Sequence, residues 1–158
     1  MSDRSLLLDT NVLSQVLRTD GDGIVRDFIE RCDVDLLRVS VVSIGEVQKG
    51  LSMLPGGRRR RDLEAWFVTL REEFSSRVVP IGMQTAILWG DLSARMRSIG
   101  QNIAVADLLI AATALEHDLT VVTRNVRDFV PTGVSVLDPW NPPAEPAATT
   151  TATDVPEP

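Results

Sequence analysis

The chain has 158 residues, 44% of them hydrophobic, which is enough for one well-packed domain and too few for two. A formal net charge of −6 at pH 7 argues against binding duplex nucleic acid by charge alone, but not against a nucleic acid held through bound cations. The single cysteine, Cys32, excludes an internal disulfide. The first residues lack the long apolar run of a signal peptide, so we expect a soluble, intracellular protein.

The first predicted strand leads directly into an acidic residue. Leu6 to Leu8 form a short unbroken apolar run, which is typical of a strand buried on both faces in a parallel sheet. Asp9, Thr10 and Asn11 follow, and their side-chain oxygens suit the start of a helix. Asp9 is therefore predicted at the carboxyl end of a central strand, where α/β proteins place their ligands. The alternative is that Asp9 only caps the helix.

A second predicted strand, residues 36–42, precedes a helix that carries Glu46. Ser43 and Glu46 have the spacing of a capping box, in which both side chains satisfy amides of the first turn. In that interpretation Glu46 has only a structural role. The apolar stripe of this helix lies on the side away from Glu46, so its carboxylate is also free to face solvent, another segment or a metal. The sequence leaves both roles open.

Four consecutive arginines begin the next predicted helix. By default such a run of like charges is solvent-exposed, and the alternative is that it contacts the phosphates of a nucleic acid. The candidate RNA-binding residues are Arg58, Arg59, Arg60 and Arg61, together with Arg124.

Asp107 lies in the first turn of a helix, residues 102–115, that is apolar nearly all round and should be buried. The helix dipole favours an acid there by only about 0.3–1 kcal/mol. Burying an unpaired charge costs several kcal/mol, so Asp107 needs a cation or strong hydrogen-bond donors.

Further strands are predicted at residues 78–81, 119–123 and 134–137, and they complete a sheet of five. In right-handed β-α-β units a helix begins at the edge where the strands end, so one edge should collect the acids. The residues expected there are Asp9, Glu46, Asp107, Asn125 and Asp128, with Thr10 and Asn11 as further candidates. Clustered carboxylates cannot all stay ionised without a cation, and oxygen ligands select Mg²⁺ or Mn²⁺. Metals in such a cluster polarise phosphates and activate water, as in many nucleases.

The sequence lacks the residues that several other kinds of catalytic and binding site require. One histidine, His117, and no tyrosine exclude a two-histidine ribonuclease site. The chain has neither a phosphate-binding glycine-rich loop nor the Cys/His spacing of a zinc site.

Four segments, in this order and spacing, resemble the PIN-domain ribonucleases, and most closely the VapC/FitB-like toxins of toxin–antitoxin pairs. They are Leu7-Leu8-Asp9-Thr10-Asn11-Val12, Ser43-Ile44-Gly45-Glu46-Val47, Ile103-Ala104-Val105-Ala106-Asp107 through Ile110-Ala111-Ala112-Thr113-Ala114, and Val122-Thr123-Arg124-Asn125 with Asp128-Phe129. The final Pro139-Trp140 also fits this branch.

The resemblance implies a three-layer α/β/α domain with a central parallel sheet over residues 1–140, and a Mg²⁺- or Mn²⁺-dependent endoribonuclease. Its acids map onto Asp9, Glu46 and Asp107, with Asp9 and Asp107 as the direct metal ligands and Asn125 as a further catalytic position. Some relatives carry a fourth acid where this chain has Asn125, which leaves the number of metals open. Family members are commonly homodimers that a small antitoxin holds inactive, so we expect RNA and an antitoxin as partners.

Two other classes of protein stay open. A phosphatase with Asp9 as nucleophile would resemble the haloacid-dehalogenase-like enzymes, which carry a second acid two residues later, where this chain has Asn11. A non-catalytic protein-binding module on the same fold is the second alternative, because a fold does not guarantee an activity. Residues 141–158, rich in Pro, Ala and Thr, are predicted to form a disordered tail.

Overall fold

The computed structural model describes residues 4–142, whose centre is a parallel sheet of five strands. The strands are β1 (Leu6–Leu8), β2 (Leu37–Ser40), β3 (Val78–Val79), β4 (Thr120–Val122) and β5 (Ser135–Leu137). They lie in the order β3-β2-β1-β4-β5, and every neighbouring pair is parallel. Strand β1 is central as predicted, with Leu8 opposite Val39 on one side and Val122 on the other. The predicted tail from residue 143 onwards lies outside the described residues.

Seven α-helices connect the strands within the described part of the chain. They are α1 (Thr10–Leu13), α2 (Gly23–Arg31), α3 (Val41–Met53), α4 (Arg58–Glu73), α5 (Met83–Ser98), α6 (Val105–Glu116) and α7 (Val126–Phe129). Two short 3₁₀ helices, Val34–Leu36 and Val130–Thr132, complete the connections. None of the helices in residues 4–142 has the length and apolar character needed to cross a membrane.

The core has two halves because successive residues of β1 point to opposite faces of the sheet. Leu7 packs in one apolar cluster with side chains of α5 and α6, such as Met96 and Ile110. Leu8 packs in the other cluster with α1 to α4, where Phe67 is one of its buried members. Helices therefore cover both faces of the sheet, and the predicted three-layer α/β/α architecture is confirmed.

The start of α3 differs from the prediction. Strand β2 ends at Ser40, whose buried hydroxyl accepts from the backbone N–H of Val42 at 3.1 Å and caps the helix. Ser43 lies inside α3, where its hydroxyl is buried without a partner in residues 4–142. The predicted capping box of Ser43 and Glu46 is therefore wrong. Ser40 caps the helix three residues earlier, and this cap outweighs the β-propensity of Val41 and Val42, which become helical. Glu46 is therefore free of a capping role.

Two serine-to-alanine substitutions test this helix start. Ser40→Ala removes the cap and should lower the free energy of unfolding by about 1 kcal/mol. Ser43→Ala makes the same chemical change three residues later but deletes a buried hydroxyl that lacks a partner, so it should change stability by less than about 0.5 kcal/mol or raise it. Urea denaturation of both variants measures the difference. Equal losses in the two variants would contradict the assignment of Ser40 as the cap.

Candidate active site

Asp9 directly follows β1, and its buried carboxylate is surrounded by hydrogen-bond donors. Its side chain is 3% exposed, and its backbone N–H donates to the carbonyl of Val122 at 3.0 Å. Oδ1 accepts from the backbone N–H of Thr10 at 2.7 Å, while Oδ2 accepts from the Thr123 hydroxyl at 2.7 Å and from Asn11 Nδ2 at 2.9 Å. Burial raises the pKa of Asp9, although the bonds from Thr123 and Thr10 oppose this effect. Asp9 thus begins α1, but its contacts go well beyond those of a cap.

Thr123 joins the ends of β1 and β4, a role that the sequence reasoning missed. Its hydroxyl donates to Asp9 and accepts from Asn11 Nδ2 at 3.1 Å and from the backbone N–H of Asn125 at 2.9 Å. Asn11 also accepts from the backbone N–H of Arg124 at 3.3 Å. The only sequence signal for Thr123 is its position directly after β4, at the edge where the acids gather.

Glu46 reaches this edge from the second turn of α3. The half-buried side chain accepts from the Thr10 hydroxyl through Oε2 at 2.5 Å. Thr10 immediately follows Asp9, so one short segment fixes one carboxylate and holds the other beside it. The negative charge of Glu46 also contributes to the raised pKa of Asp9.

Asp107 lies in the first turn of α6, half-buried, and no hydrogen bond from residues 4–142 stabilises its carboxylate. Burial is the main cause that raises its pKa to about 6, and the charges of Asp9, Glu46 and Asp128 add to it. Asp128 is itself held by Asn125, whose Nδ2 donates to it at 2.7 Å. The structure therefore brings the predicted residues together, and Asp128 adds a fourth carboxylate to the other three.

The chemistry of these residues fits a metal, although their present arrangement does not yet form a metal-binding group. No three Asp, Glu, His or Cys side chains in residues 4–142 are close enough to hold an ion together. The donors fit a hard divalent cation, since they are carboxylate oxygens that repel one another around Asp107. Glu46 accepts from Thr10 through Oε2 only, so its other oxygen is free to bind such an ion.

The arginine run lies apart from the acids. Arg60 binds Glu64 at 2.7 Å and the carbonyl of Leu54 at 3.2 Å. Arg58 and Arg59 line a groove beside the loop that follows α1. No arginine of the run contributes to the raised pKa of Asp9 or Asp107. Arg124, by contrast, stands at the rim of the acid cluster, directly after Thr123.

The three-layer α/β/α domain thus places four acids, Asp9, Glu46, Asp107 and Asp128, at the edge of the sheet where α/β proteins bind their ligands. Residues 6–130 match the family described as PIN domain, and the chain belongs to that family.

The relatives cover nearly the whole domain. The VapC ribonuclease Y4jK of Sinorhizobium fredii is 30% identical over 87% of this chain and 99% of its own length. The toxin FitB of Neisseria gonorrhoeae is 31% identical over 86% of this chain and 99% of its own length. The crystal structure of FitAcB from Neisseria gonorrhoeae superposes with a TM-score of 0.79 at 30% identity, covering 86% of this chain and 99% of that chain. The predicted resemblance to the PIN-domain toxins is confirmed.

The raised pKa of Asp107 predicts that stability falls with rising pH. The Asp107 carboxyl holds its proton more tightly in the folded state than in the unfolded chain, where its pKa is near 3.8. The resulting contribution to the free energy of unfolding is therefore fully present below about pH 4 and is lost as the pH rises through about 6. In EDTA, Asp107→Asn should match the wild type near pH 4. Near pH 7.5 its free energy of unfolding should exceed the wild-type value by roughly 1 kcal/mol, a figure reduced for the solvent screening of a half-buried group.

Asp27→Asn is the matched control, because it removes the same charge from an exposed position on α2. Its denaturation curves should follow the wild type at both pH values. A difference between Asp107→Asn and the wild type that is the same at both pH values would contradict the assigned environment of Asp107.

Proposed function

We propose that this protein is a metal-dependent endoribonuclease and the toxin of a toxin–antitoxin pair. The observation that carries the proposal is the half-buried Asp107 carboxylate, which has no donor from residues 4–142 and whose pKa the charges of Asp9, Glu46 and Asp128 help to raise. Relatives named VapC ribonuclease and toxin FitB, each matched over nearly its full length, support it.

Asp9 and Asp107 would hold Mg²⁺ or Mn²⁺ directly, and Glu46 would complete the set through the oxygen that Thr10 does not bind. The metal would supply Lewis-acid polarisation of a phosphate and an activated water. Asn11 and Thr123 keep the buried Asp9 carboxylate in one orientation. Asn125 aims Asp128 toward the cluster, so Asp128 is the candidate for the fourth acid that some relatives carry at the position of Asn125.

The phosphatase alternative is disfavoured by the residue two positions after Asp9. The haloacid-dehalogenase-like enzymes carry a second acid there, and this chain has Asn11, whose amide donates to Asp9 Oδ2 at 2.9 Å. A neutral amide cannot exchange a proton as an acid at that position would.

Asp107→Asn tests the metal site through two measurements. Cleavage of a labelled single-stranded RNA in Mn²⁺ or Mg²⁺ should be abolished, because a neutral amide oxygen binds a divalent cation far more weakly than a carboxylate does. Mn²⁺ should also raise the melting temperature of the wild type, since it binds only the folded state, and this shift should be lost in the variant. Asp27→Asn is the control and should retain both properties.

Full activity in a folded Asp107→Asn would refute the site assignment. A wild-type protein that shows neither metal-dependent cleavage nor a Mn²⁺-induced shift would favour the non-catalytic binding module instead.

A cognate antitoxin is the proposed partner, supported by the toxin names of the relatives. An acid cluster attracts a cationic side chain, so the antitoxin should insert an Arg or Lys among Asp9, Glu46 and Asp107, with its flanking helix on the apolar surface of the early helices. The resemblance to the PIN-domain toxins also implies a homodimer, which light scattering of the purified chain tests.

Metal and antitoxin should then compete for the same carboxylates. Titrating the purified complex with Mn²⁺ should weaken it by linkage, whereas a metal-free titration of matched ionic strength should not. An affinity that does not change up to saturating Mn²⁺ would mean that the antitoxin blocks the RNA path away from the acids.

A further inference from the structure

Arg124 is a cation whose backbone is bound to Asn11 of the acid site, and Asp22 is the acid that its charge influences. Its exposed side chain follows Thr123, and its guanidinium carbon lies 5.3 Å from the ring centroid of Trp140. It forms no salt bridge with any acidic side chain of residues 4–142. Its charge is also not among those that shift the pKa of Asp9 or Asp107. Arg124 therefore does not neutralise the cluster, and its donors remain available to an anion from outside.

Trp140 is fixed from three sides. The indole Nε1 donates to Asp22 Oδ2 at 3.0 Å, and the backbone N–H donates to Asp138 Oδ1 at 2.9 Å. The half-buried ring also packs against the core cluster that contains Leu8. The aromatic face under Arg124 is therefore held in place.

Asp22 links this arrangement to α2. While Oδ2 accepts from the indole, Oδ1 accepts from the backbone N–H of Ile24 at 2.9 Å and caps the helix. The bond from Trp140 is the main cause that lowers the pKa of Asp22, and Arg124 adds a smaller electrostatic contribution. The carboxylate is thus ionised at neutral pH and orients both the ring and the cation above it.

The backbone of Arg124 is tied to the acid site itself. Its N–H donates to Asn11 Oδ1 at 3.3 Å, and Asn11 in turn donates to Asp9. The guanidinium lies over the ring and forms no salt bridge within residues 4–142, so its N–H groups are free to bind a phosphate in a bidentate manner. Because contact with the ring already restricts the side chain, less rotamer entropy is lost when the phosphate binds.

We propose that Arg124 binds a phosphate of the RNA strand beside the cleaved bond, and that Trp140 and Asp22 are positioning residues for its guanidinium. This inference rests on the proposed ribonuclease function. It assigns a role in substrate binding to residues 138–141, the turn that follows β5.

The test uses Asp107→Asn as the background, so that the strand is bound but not cut. Fluorescence anisotropy of a short fluorescein-labelled single-stranded RNA gives the dissociation constant across a range of salt concentrations. Adding Arg124→Gln should weaken binding roughly fivefold and reduce the salt slope by about 0.7, the value for one phosphate of a single strand. Arg31→Gln removes the same charge from the far end of α2 and should leave both quantities unchanged.

A double-mutant comparison separates positioning from stability. Trp140→Leu should weaken RNA binding when Arg124 is present and have no further effect in Arg124→Gln. Trp140→Phe keeps the ring but loses the bond to Asp22, so its effect on binding should be smaller. A purely structural Trp140 would lower the melting temperature by the same amount in both backgrounds without this dependence on Arg124.

Three results would overturn the inference. An unchanged salt slope in Arg124→Gln is one, and an equal loss of RNA binding from Trp140→Leu in both backgrounds is another. The third is an Arg124→Gln variant that binds RNA as before but binds the antitoxin more weakly. That result would mean that Arg124 and Trp140 contact the antitoxin rather than RNA. If the wild type cleaves RNA in any of these cases, the proposed function survives and only this inference fails. If no variant binds RNA and the wild type does not cleave it, both fail.

Discussion

The contact on which the rest of the site depends is the hydrogen bond between the Thr123 hydroxyl and the Asp9 carboxylate. It joins the residues that directly follow two neighbouring strands, β1 and β4, which pair in register up to Leu8 and Val122. A buried ionised carboxylate is costly unless donors surround it, and this bond is the largest opposing effect on the raised pKa of Asp9. Because the same hydroxyl also accepts from Asn11 Nδ2, two hydrogen bonds join the ends of β1 and β4 before any ligand binds.

Around this fixed carboxylate the other acids differ in how firmly they are held. Thr10 binds Glu46, and Asn125 binds Asp128, so each keeps a donor from the chain. Asp107 has no such donor within residues 4–142, and burial raises its pKa to about 6. Burial also raises the pKa of Asp9, but Asp9 keeps three donors, so Asp107 is the carboxylate that gains most from an incoming cation.

The sheet, the edge and the grouping of the acids could be predicted from the sequence because each rests on a local pattern. Leu6 to Leu8 read as a buried strand, and parallel strands end at a common edge whatever the packing details. The capping serine could not be predicted, since Ser40 and Ser43 both suit a helix start and only the packing of β2 chooses between them. The bond from Trp140 to Asp22 joins residues 118 positions apart, and no periodicity encodes such a contact.

The replacement of an acid by Asn125 changes less than the sequence suggests. Asn125 donates to Asp128 one helical turn later, and the charge of Asp128 reaches Asp107. A neutral amide with a tethered carboxylate thus keeps the fourth negative charge near the other three while placing it on a different residue. An amide adds a donor that an acid at position 125 would lack, and two carboxylates so close in sequence would repel each other. Asn125 therefore fits the proposed metal site, in which Asp128 would supply the charge of the fourth acid from one helical turn later.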